Sequence, residues 1–393
     1  MARIAARLVA LVSGVLAATS VMSVPSASAS PLATTVGTAK VDCITVDPNT
    51  GTCTLQGSVY AITQVGSTTY IGGTFNSVSG VARRNVAAIR PDGTLDPTWN
   101  PDTDGVVYAL AASSDGSKIF IGGGFTTVGG TPRSRLAAVT PDTGALVANW
   151  TTTVKNNYVR ALVADSADRL YVGGSFSTIG GRAILRLAAL SQSTGAVQHT
   201  TFSAAPGDTV RALALSENGS KLYAGGPFTT FGGLPRRGAA EMNAATGAVT
   251  GFSPTESGAV IAMDVSPSGR LFFGTQSNRT YAYDPAASNV PVYTVRSSGD
   301  VQAILATNTE VYVGGHFSGF PDAKISRLHL ASFMTADGSI TGWNPGPNGT
   351  YGVWAIGLTQ TALSPNAVPA LSVGGDFTVM AGKARRSIAR FNF

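Results

Sequence analysis

The sequence has few of the residues on which catalytic and metal sites most often depend. Among 393 residues there are two cysteines and three histidines, and only 12% of the residues are charged. No G-x-S-x-G motif is present, and no phosphate-binding loop precedes a helix. These absences argue against the hydrolases and nucleotide-binding proteins that such motifs identify. No cofactor and no metal ion are predicted.

Long apolar runs are absent except near the N-terminus. A short basic region precedes an apolar segment over residues 8–18, and Ala27-Ser28-Ala29 has the small-residue pattern of a cleavage site. A membrane anchor is the alternative, but this segment is shorter than the about 20 residues that a span requires. We therefore predict a signal peptide over residues 1–29, a mature chain from Ser30, and a secreted, extracellular protein without membrane insertion.

A strong excess of one charge sign is also missing. The formal balance of 27 basic and 21 acidic residues is +6, and it falls to 25 minus 21, or +4, when Arg3 and Arg7 leave with the signal peptide. So mild an excess is weak support for a polyanionic partner. No nucleic-acid partner is predicted.

The two cysteines, Cys43 and Cys53, flank the turn sequence DPNTG between two β-prone segments. In an exported protein the simplest interpretation is a disulfide bond that closes a hairpin, with metal or redox chemistry as the alternative. Closing so short a loop stabilises a fold by roughly 2–3 kcal/mol. We predict that residues 30–58 form an N-terminal closure hairpin carrying this bond.

What the sequence contains instead is a repeat. Each copy has a V-x-A strand, a strand that ends in Gly-Gly, a Gly-rich loop, a third strand, a turn, and a fourth strand that ends in an aromatic residue. Short strands with such turn signals and no helical periodicity predict an all-β fold. Four strands per repeat predict a seven-bladed β-propeller of four-stranded blades over residues 59–393. The seven copies start at Val59, Val107, Val159, Val210, Val260, Val301 and Val353.

Several repeated letters are expected to serve packing. The Gly-Gly pair lets backbone segments approach where a Cβ would clash. The fifth copy departs from the pattern, because GTQSN replaces its Gly-Gly-x-Phe loop. The Phe two residues after each glycine pair is predicted to be buried between blades: Phe75, Phe125, Phe176, Phe228, Phe317 and Phe377.

The last copy ends at Phe393 after its third strand. We predict that a strand of the N-terminal segment completes this blade and closes the ring. A closed ring leaves few exposed sheet edges, and a monomer is therefore expected.

The unit [YF]-[IV]-G-G-x-F-[ST]-T-[VI]-G-G, followed by Arg and by D-G-x-L-D-P-T-W-N-P, resembles the bacterial delta-60 repeat. The resemblance covers about residues 59–393, is fullest over residues 59–101, holds well in four repeats and is poor in the fifth. The resemblance implies a secreted or surface-exposed β-propeller domain without an assigned function, and it supplies no catalytic residues. Residues 140–150, TPDTGALVANW, also resemble a motif of quinoprotein dehydrogenase propellers, in which the Trp docks one blade on the next.

Other candidate chemistry is sparse. The three histidines, His199, His316 and His329, are assigned to different blades without ligand spacing, so a histidine metal site is not expected. The turns at 101–105 and 47–51 offer too few oxygen ligands for calcium. The acidic residues outside turns share no repeat position, which argues against the paired carboxylates of a glycosidase. They are Asp96, Glu241, Asp264, Glu310 and Asp376.

One charged position does recur. Counted from the repeated Phe, an Arg falls at +8 or +10 in six repeats, which predicts guanidinium groups on one face of the third strand. The arginines either tie blades together through loop carbonyls or form an anion-binding rim, and their repetition favours the first interpretation. They are Arg83, Arg133, Arg135, Arg186, Arg236, Arg327 and Arg385, with Arg279 as a loose match in the fifth repeat.

Positions that differ between repeats are better candidates for ligand contact. The connections between repeats are expected to share a face with the Gly-rich loops, and Lys155, Tyr158, Tyr351 and Trp354 are candidate binding residues there, with ordinary solvated loops as the alternative. The variable residue of V-x-A is Tyr60, Tyr108, Arg160, Arg211, Ile261, Gln302 and Trp354.

The sequence thus predicts a recognition or scaffold module that binds a cell-wall polymer, a glycan or a protein through its loop face. One alternative is a polysaccharide lyase or hydrolase acting at the axial mouth, for which clustered acid, His or Tyr side chains would be the sign. A spread of Arg and aromatic side chains would favour binding. The other alternative is a structural protein of an envelope or matrix.

Overall fold

The computed structural model describes residues 57–360 and 369–392 and, nearer the N-terminus, the backbone of Cys43–Val46 and Cys53–Gln56. The predicted signal peptide, residues 1–29, lies outside the described residues. All regular elements in the described residues are β-strands, which confirms the predicted all-β class. In this part of the chain no helix is long and apolar enough to span a membrane.

Seven antiparallel sheets follow one another along the described chain, one for each repeat. We number them sheets 1–7 and name their strands first, second and third in chain order, the second lying between the other two. The strands are, in sheet 1, Ser58–Val65, Thr68–Thr74 and Val86–Ile89; in sheet 2, Val107–Ala112, Ile119–Gly123 and Leu136–Val139; in sheet 3, Val159–Ala164, Arg169–Gly174 and Leu187–Ser191; in sheet 4, Ala212–Leu215, Lys221–Gly225 and Ala239–Asn243; in sheet 5, Val260–Val265, Leu271–Thr275, Arg279–Tyr283 and a fourth, Tyr293–Arg296; in sheet 6, Val301–Ala306, Glu310–Gly315 and Leu330–Met334; and in sheet 7, Val353–Gln360, Pro369–Gly375 and Ile388–Asn392.

The predicted fourth strand differs from what the structure has. Among the described sheets only sheet 5 has one, whereas in repeats 1–4 and 6 the same segment makes a single bridge to the third strand, such as Ile89 with Leu95. The turn before this segment is tight, and its glycine is left-handed, as at Gly144 with φ 74°. The chain then leaves the sheet after one residue pair, because its aromatic residue turns towards the next repeat.

This aromatic residue anchors each repeat on its neighbour. Trp99 is fully buried, and its Nε1 donates to the carbonyl oxygen of Thr140 at 2.9 Å, in the outer turn of repeat 2. Trp150 lies against Gly195 of repeat 3, where an added Cβ would be 3.0 Å from the indole ring. The docking contact that the sequence motif at 140–150 implied is therefore present.

The Gly-Gly pair makes two different close contacts. An added Cβ on Gly72 would overlap Val107 Cγ1, so the first glycine makes room for the valine of the next V-x-A element. An added Cβ on Gly73 would overlap the carbonyl oxygen of Ser58 in its own first strand. The predicted close approach is thus confirmed. The glycine–valine contact recurs between successive sheets as Gly122–Val159, Gly173–Val210, Gly225–Val260, Gly274–Val301 and Gly314–Val353.

The last repeat makes the same contact with the first. Gly374 of sheet 7 packs on Val59 of sheet 1, and the first strands of these two sheets lie side by side. Arg390 is buried and donates to the carbonyl of Pro91 at 2.8 Å and to Thr69 Oγ1 at 3.0 Å. The two ends of the repeat array are therefore neighbours.

The core lies between successive sheets, and the repeated Phe residues belong to it. Phe75 and the five residues at the same position are all at most 2% exposed, which confirms their predicted burial. Between sheets 2 and 3, for example, Phe176 and Val172 of repeat 3 are packed with Phe120 and Trp150 of repeat 2.

The Gly-rich loops form small hairpins that hold the connections between repeats. In repeat 3, Thr178–Ile179 pairs with Val154–Lys155 of the preceding connection. Thr103 bridges to Val128 in the same manner. Loops and connections therefore share a face, as predicted. The other loop hairpins pair Ser77–Val78 with Val81–Ala82, Thr127–Val128 with Thr131–Pro132, Thr230–Phe231 with Leu234–Pro235, Gly319–Phe320 with Ile325–Ser326, and Val379–Met380 with Lys383–Ala384.

The N-terminal strands Cys43–Val46 and Cys53–Gln56 form an antiparallel hairpin of their own. In the described pairing neither strand joins the sheet of the last repeat, so the predicted completion of that blade is not confirmed. The register pairs Cys43 with Gln56, and Cys53 lies opposite Val46. The side chains of both cysteines lie outside the described residues, and the disulfide stays a prediction.

Candidate functional site

The variable residue of V-x-A is set apart from its strand by a β-bulge. In sheet 1, Val59 pairs with Gly73 and Ala61 pairs with Gly72, so Tyr60 has no opposite residue. Sheets 2, 3, 5, 6 and 7 have the same shift, and in sheet 4 Arg211 immediately precedes the first strand. A bulge re-aims the side chain of its extra residue. All seven of these residues are half-buried, although the valine before each of them is buried.

We call the seven variable V-x-A residues the bulge ring. Aromatic side chains occupy neighbouring positions in it. Trp354 meets Tyr60 edge-on with 5.3 Å between centroids, and Tyr60 stacks near Tyr108 at 6.0 Å. From the adjoining connections, Tyr351 lies 6.5 Å from Trp354 and Tyr158 lies 5.9 Å from Tyr108. His316 of repeat 6 extends the series, because its ring centroid lies 6.1 Å from that of Tyr351. We call these six residues the aromatic arc: His316, Tyr351, Trp354, Tyr60, Tyr108 and Tyr158.

Two arginines continue the arc. The Arg160 guanidinium carbon lies 4.0 Å from the Tyr108 ring centroid and 5.4 Å from that of Tyr158, within the range of cation–π attraction. Arg211 is the bulge residue of the next repeat. Burial, and then the positive charge of Arg160, lower its pKa, while Asp208 acts in the opposite direction. An anion placed here would stabilise the charged form of Arg211, so this end of the arc favours negative charge.

The loop that carries Tyr351 is fixed in place by a carboxylate. Asp376 accepts hydrogen bonds from the backbone amides of Thr350, Tyr351 and Gly352 at 3.1, 2.9 and 2.6 Å. Tyr351 is 57% exposed even so. Its ring is therefore both presented to solvent and held on an ordered backbone, which lowers the entropic cost of ligand contact.

The arginines of the loops after the repeated Phe, at +8 in most repeats and at +10 for Arg327 in repeat 6, hold carbonyl groups of their own repeats. Arg83 is 5% exposed and donates to the carbonyls of Ala82, Asp96 and Pro97 at 2.7, 3.2 and 2.8 Å. The same fork recurs at Arg236 and Arg327, which reach the segment after the third strand through Thr250 and Thr341. Arg133 and Arg385 donate to the residue before them. These contacts favour the structural interpretation, with the correction that they act within a repeat.

The residues directly before the third strand have a different geometry from the one predicted. They fall at +10 in repeats 1–4 and 7 and at +12 in repeat 6, and each adopts a left-handed backbone, as at Arg135 and Arg186 with φ 64° and 65°. The +8 and +10 side chains therefore do not project from one strand face. Arg186 donates to the carbonyl of Pro206 at 3.0 Å, and Asn85 takes the same position in repeat 1 and donates to Thr103. This position ties a repeat to the connection that follows it.

The structure brings together some of the predicted binding residues and not others. Tyr158, Tyr351 and Trp354 belong to the aromatic arc. Lys155 lies exposed in the short connection strand opposite Thr178, and Arg279 lies in the third strand of sheet 5. Tyr60, Tyr108, Arg160 and Arg211 were identified as variable positions but not as candidate binding residues. His316 was considered only as a metal ligand. The variable residue of V-x-A was the available signal for the four bulge residues. The sequence does not show the bulge, which brings these side chains next to residues of the connections.

The histidines are not separated as the sequence suggested. His316 and His329 belong to the same repeat, and their rings are stacked with centroids 6.2 Å apart. His329 lies directly before the third strand, which in this longer loop is +12 from Phe317, and its two ring nitrogens lie 3.0 and 3.2 Å from the carbonyl oxygens of Gly315 and Gly349. In the described part of the chain, no group of three or more His, Cys, Asp or Glu is arranged to hold a metal ion.

The acidic residues singled out from the sequence serve local contacts. Asp96 accepts from the amide and the hydroxyl of Thr98, and Glu241 pairs with Lys221 at 3.0 Å. Asp264 accepts from the backbone amides of Val265 and Ala306 at 2.9 and 2.8 Å. These contacts assign the carboxylates to turns and to packing between repeats.

Comparison with known families supports the propeller architecture. The model of a β-propeller domain of unknown function, DUF5122, matches residues 68–98, which span the second and third strands of sheet 1 and its outer turn. The delta-60 repeat itself is not confirmed. No curated protein matches the sequence.

Solved structures resemble the chain over most of its length. A chain of the mitotic checkpoint complex is 15% identical with a TM-score of 0.61, and the likeness covers 100% of this chain and 98% of that one. U3-55K is 13% identical with a TM-score of 0.58, covering 86% and 96%, respectively. The WD40 β-propeller domain of Doa1 is 10% identical with a TM-score of 0.55, covering 86% and 93%. At such identities the likeness shows the fold alone, which is propeller-like.

Proposed function

We propose that this protein is a secreted recognition module, a closed ring of seven blades that binds a cell-wall polymer, a glycan or a protein partner through the face bearing the aromatic arc. The N-terminal sequence pattern supports secretion. The recurrence of the glycine–valine contact between successive sheets, and between the last and the first, supports a closed seven-bladed ring. Assembly of a propeller-like chain in the mitotic checkpoint complex is an example of a protein partner for this kind of fold.

The observation that carries the proposal is the aromatic arc on the bulge ring. The neighbouring valine and alanine positions are nearly invariant and serve packing, whereas the bulge position changes from repeat to repeat. Aromatic side chains that served packing alone would be buried like Trp99, yet Tyr158 and Tyr351 are 38% and 57% exposed. Exposed contiguous apolar surface of this kind marks interaction sites.

The arc also indicates what the ligand offers. Six adjacent rings provide faces on which flat or apolar groups can stack, and Tyr and Trp retain a polar atom for a hydrogen bond. Arg160 and Arg211 add positive charge at one end of the arc. An extended ligand with several stackable groups and at least one anionic group therefore fits this face.

A pull-down of the mature chain from Ser30 on bacterial cell walls, a polysaccharide panel and extracellular protein extracts tests this proposal at two salt concentrations. Binding is expected for wild type, and Trp354→Ala should weaken it about tenfold or more, since buried aromatic anchors dominate interfaces. Val290→Ala is the matched control, because Val290 is an exposed apolar residue in the outer turn of repeat 5. Equal retention of wild type, Trp354→Ala and Val290→Ala on every matrix would contradict the proposal.

A lyase or hydrolase remains the second candidate, because His316 and Tyr351 lie side by side at the arc face. Tyr351→Phe separates the two functions, since it keeps the ring and removes the hydroxyl that could transfer a proton. For a binding module, Tyr351→Phe should retain ligand and no oligosaccharide should be released by wild type. Product release that Tyr351→Phe abolishes would establish the enzyme instead.

A further inference from the structure

Among the described repeats, only in repeat 5 are the second and third strands joined by a short turn. This repeat has no loop hairpin, and its turn makes no β-sheet pairing with a connection between repeats. Leu271–Thr275 is followed by Arg279–Tyr283 after three residues. The Gly-rich loop of repeat 4 therefore has no corresponding loop of repeat 5 beside it. A cleft of about 850 Å³ opens between repeats 4 and 5. Such a volume is within the range of ligand sites in proteins.

The walls of this cleft carry arginines from both repeats. Arg237 lies on the repeat 4 side and Arg279 on the repeat 5 side, and both residues are exposed. Among the described residues no carboxylate lies within 4.0 Å of either guanidinium group. Glu256 also lines the cleft, outside this distance. Arg279 is associated with the Tyr281 hydroxyl, which leaves further donors of its fork for a ligand.

A third arginine adds to the positive charge. Arg296 in the fourth strand of sheet 5 pairs directly with Arg279 in the third strand. Like charges at directly opposite positions of an antiparallel pair destabilise a sheet. Asp322 is 3.8 Å from Arg296, but both side chains are more than half exposed, so this ion pair offsets little of the repulsion. A bound carboxylate would relieve it.

The surroundings identify which kind of carboxylate fits. A sugar acid is normally held with its ring stacked on an exposed aromatic side chain, but the two rings in this cleft, Phe228 and Tyr281, are 1% and 3% exposed. The remaining lining is backbone, proline and hydroxyl groups, which suit an extended peptide. Segments 1–41 and 361–368 of the chain contain no acidic residue, and the other residues outside the described part contain only two, Asp42 and Asp47. A partner segment is therefore the better source of several carboxylates.

We propose that the cleft between repeats 4 and 5 is a second binding site, separate from the aromatic arc, for a carboxylate-bearing peptide segment of a partner protein. Arg237 and Arg279 would receive its acidic side chains from the two walls. Arg suits this role because its planar fork matches a carboxylate with two parallel hydrogen bonds.

Fluorescence anisotropy with a labelled hexaglutamate peptide tests the site on the full mature chain. Wild type is expected to bind this probe and to lose affinity as salt is raised. Arg237→Ala and Arg279→Ala should each weaken binding about tenfold, the effect of losing one charge-assisted hydrogen-bond partner. Glu256→Gln should tighten binding, because it removes the one acidic group of the lining.

Three control measurements show whether hexaglutamate binding depends on this cleft. Arg182→Ala removes an exposed arginine from the loop of repeat 3 and should leave affinity unchanged. Trp354→Ala should also leave it unchanged, so that failure of the arc and failure of the cleft are distinguishable. Arg279→Ala should not lower the melting temperature, because it relieves the contact with Arg296.

The following results would overturn the proposal. One is absence of hexaglutamate binding, and a second is a loss for Arg182→Ala as large as for Arg279→Ala. Equal affinity for hexaglutamine would show that the carboxylates are not recognised. Tighter binding of a trigalacturonate than of hexaglutamate would assign the cleft to an acidic saccharide instead.

Discussion

Adjacent arginines in repeat 1 show how differently one residue type is used. Arg83 is buried and holds three carbonyl groups, whereas Arg84 is exposed and pairs with Asp102 at 2.8 Å. We expect Arg83→Ala to lower the free energy of unfolding by about 2–3 kcal/mol, because buried carbonyls lose charge-assisted donors. Arg84→Ala should unfold close to wild type in the same urea titrations. A loss for Arg84→Ala equal to that for Arg83→Ala would contradict this division.

Asp264 gives the stability a dependence on pH at one residue. Burial raises the pKa of its carboxyl to about 6, although the amides of Ala306 and Val265 favour the ionised form. The fold therefore prefers the protonated acid, and this residue's contribution falls as pH rises from about 4, its unfolded value, through about 6. We expect wild type to lose up to about 3 kcal/mol over this window and Asp264→Asn to lack the loss.

Urea denaturation at several pH values measures the Asp264 effect, and Asp337→Asn is its control. Hydrogen bonds from Ser339 lower the pKa of Asp337, so its contribution is present at neutral pH and disappears as pH falls below about 4. Removal of Asp337 should therefore change stability in the opposite pH direction. Parallel pH profiles for wild type and Asp264→Asn would rule out a raised pKa at Asp264.

At this scale the sequence identified the arginine signal but not its geometry. Repetition at +8 favoured a structural role, and Arg83 and Arg236 are buried with their guanidinium groups on backbone carbonyls. The left-handed residues directly before the third strand could not be foreseen, because Asn, Arg, Gly, His and Ser all occur at that position. Likewise, Tyr60 reads as an ordinary strand residue, and only the pairing register shows that it is a bulge.

The glycine pair provides a test at the scale of the strand. Gly72→Ala would place its Cβ against a valine side chain of the next repeat, whereas Gly73→Ala would meet a backbone carbonyl. Each should destabilise the fold by about 1–3 kcal/mol through overpacking. Adding Val107→Ala should recover part of the loss for Gly72→Ala, because it removes the atoms in conflict, and should recover none for Gly73→Ala.

Thermal and urea unfolding of these double variants measure the coupling between the two positions. Gly251→Ala is the control substitution, because an added Cβ there has no neighbour within 4 Å. Equal behaviour of Gly72→Ala and Gly73→Ala in the Val107→Ala background would argue against two separate contacts.

Three strands of each repeat could be predicted, whereas the predicted fourth strand is present among the described sheets only in sheet 5. The first three strands have β-prone runs bounded by turn residues, as at 119–123 and 136–139. The segment that ends in Trp99 has the same composition, but its residues after the outer turn are drawn away by burial of the indole against repeat 2. That competition depends on a tertiary contact, which the local sequence does not show.

The whole molecule offers a test of ring closure. If the first and last repeats are neighbours in a closed ring, a circular permutant with new ends in the exposed outer turn at 287–288 should fold. Residues 57 and 392 would be joined by a Gly/Ser linker of about ten residues, long enough to cross the last strand. We expect its melting temperature to stay near that of wild type, measured by circular dichroism.

The control for the permutant is a chain that ends at residue 346 and so lacks repeat 7. This truncation removes the contacts of Gly374 and Arg390 with repeat 1 and should melt well below wild type. A truncation as stable as wild type, or a permutant that fails to fold, would contradict closure. The number of V-x-A copies predicted the number of sheets. The contact between the first and last repeats depends on particular side chains, and it could not be predicted from the number of repeats.

Each junction between repeats joins two unlike surfaces, a glycine-lined groove on one repeat and a valine on the next. Contacts of this head-to-tail kind either close into a ring or continue from molecule to molecule as a fibre. A fragment that has lost one repeat presents the groove at one end and the valine at the other, on two surfaces that fit each other in separate copies. Proteolytic fragments of this protein are therefore expected to polymerise, whereas the full set of repeats satisfies both surfaces within one chain.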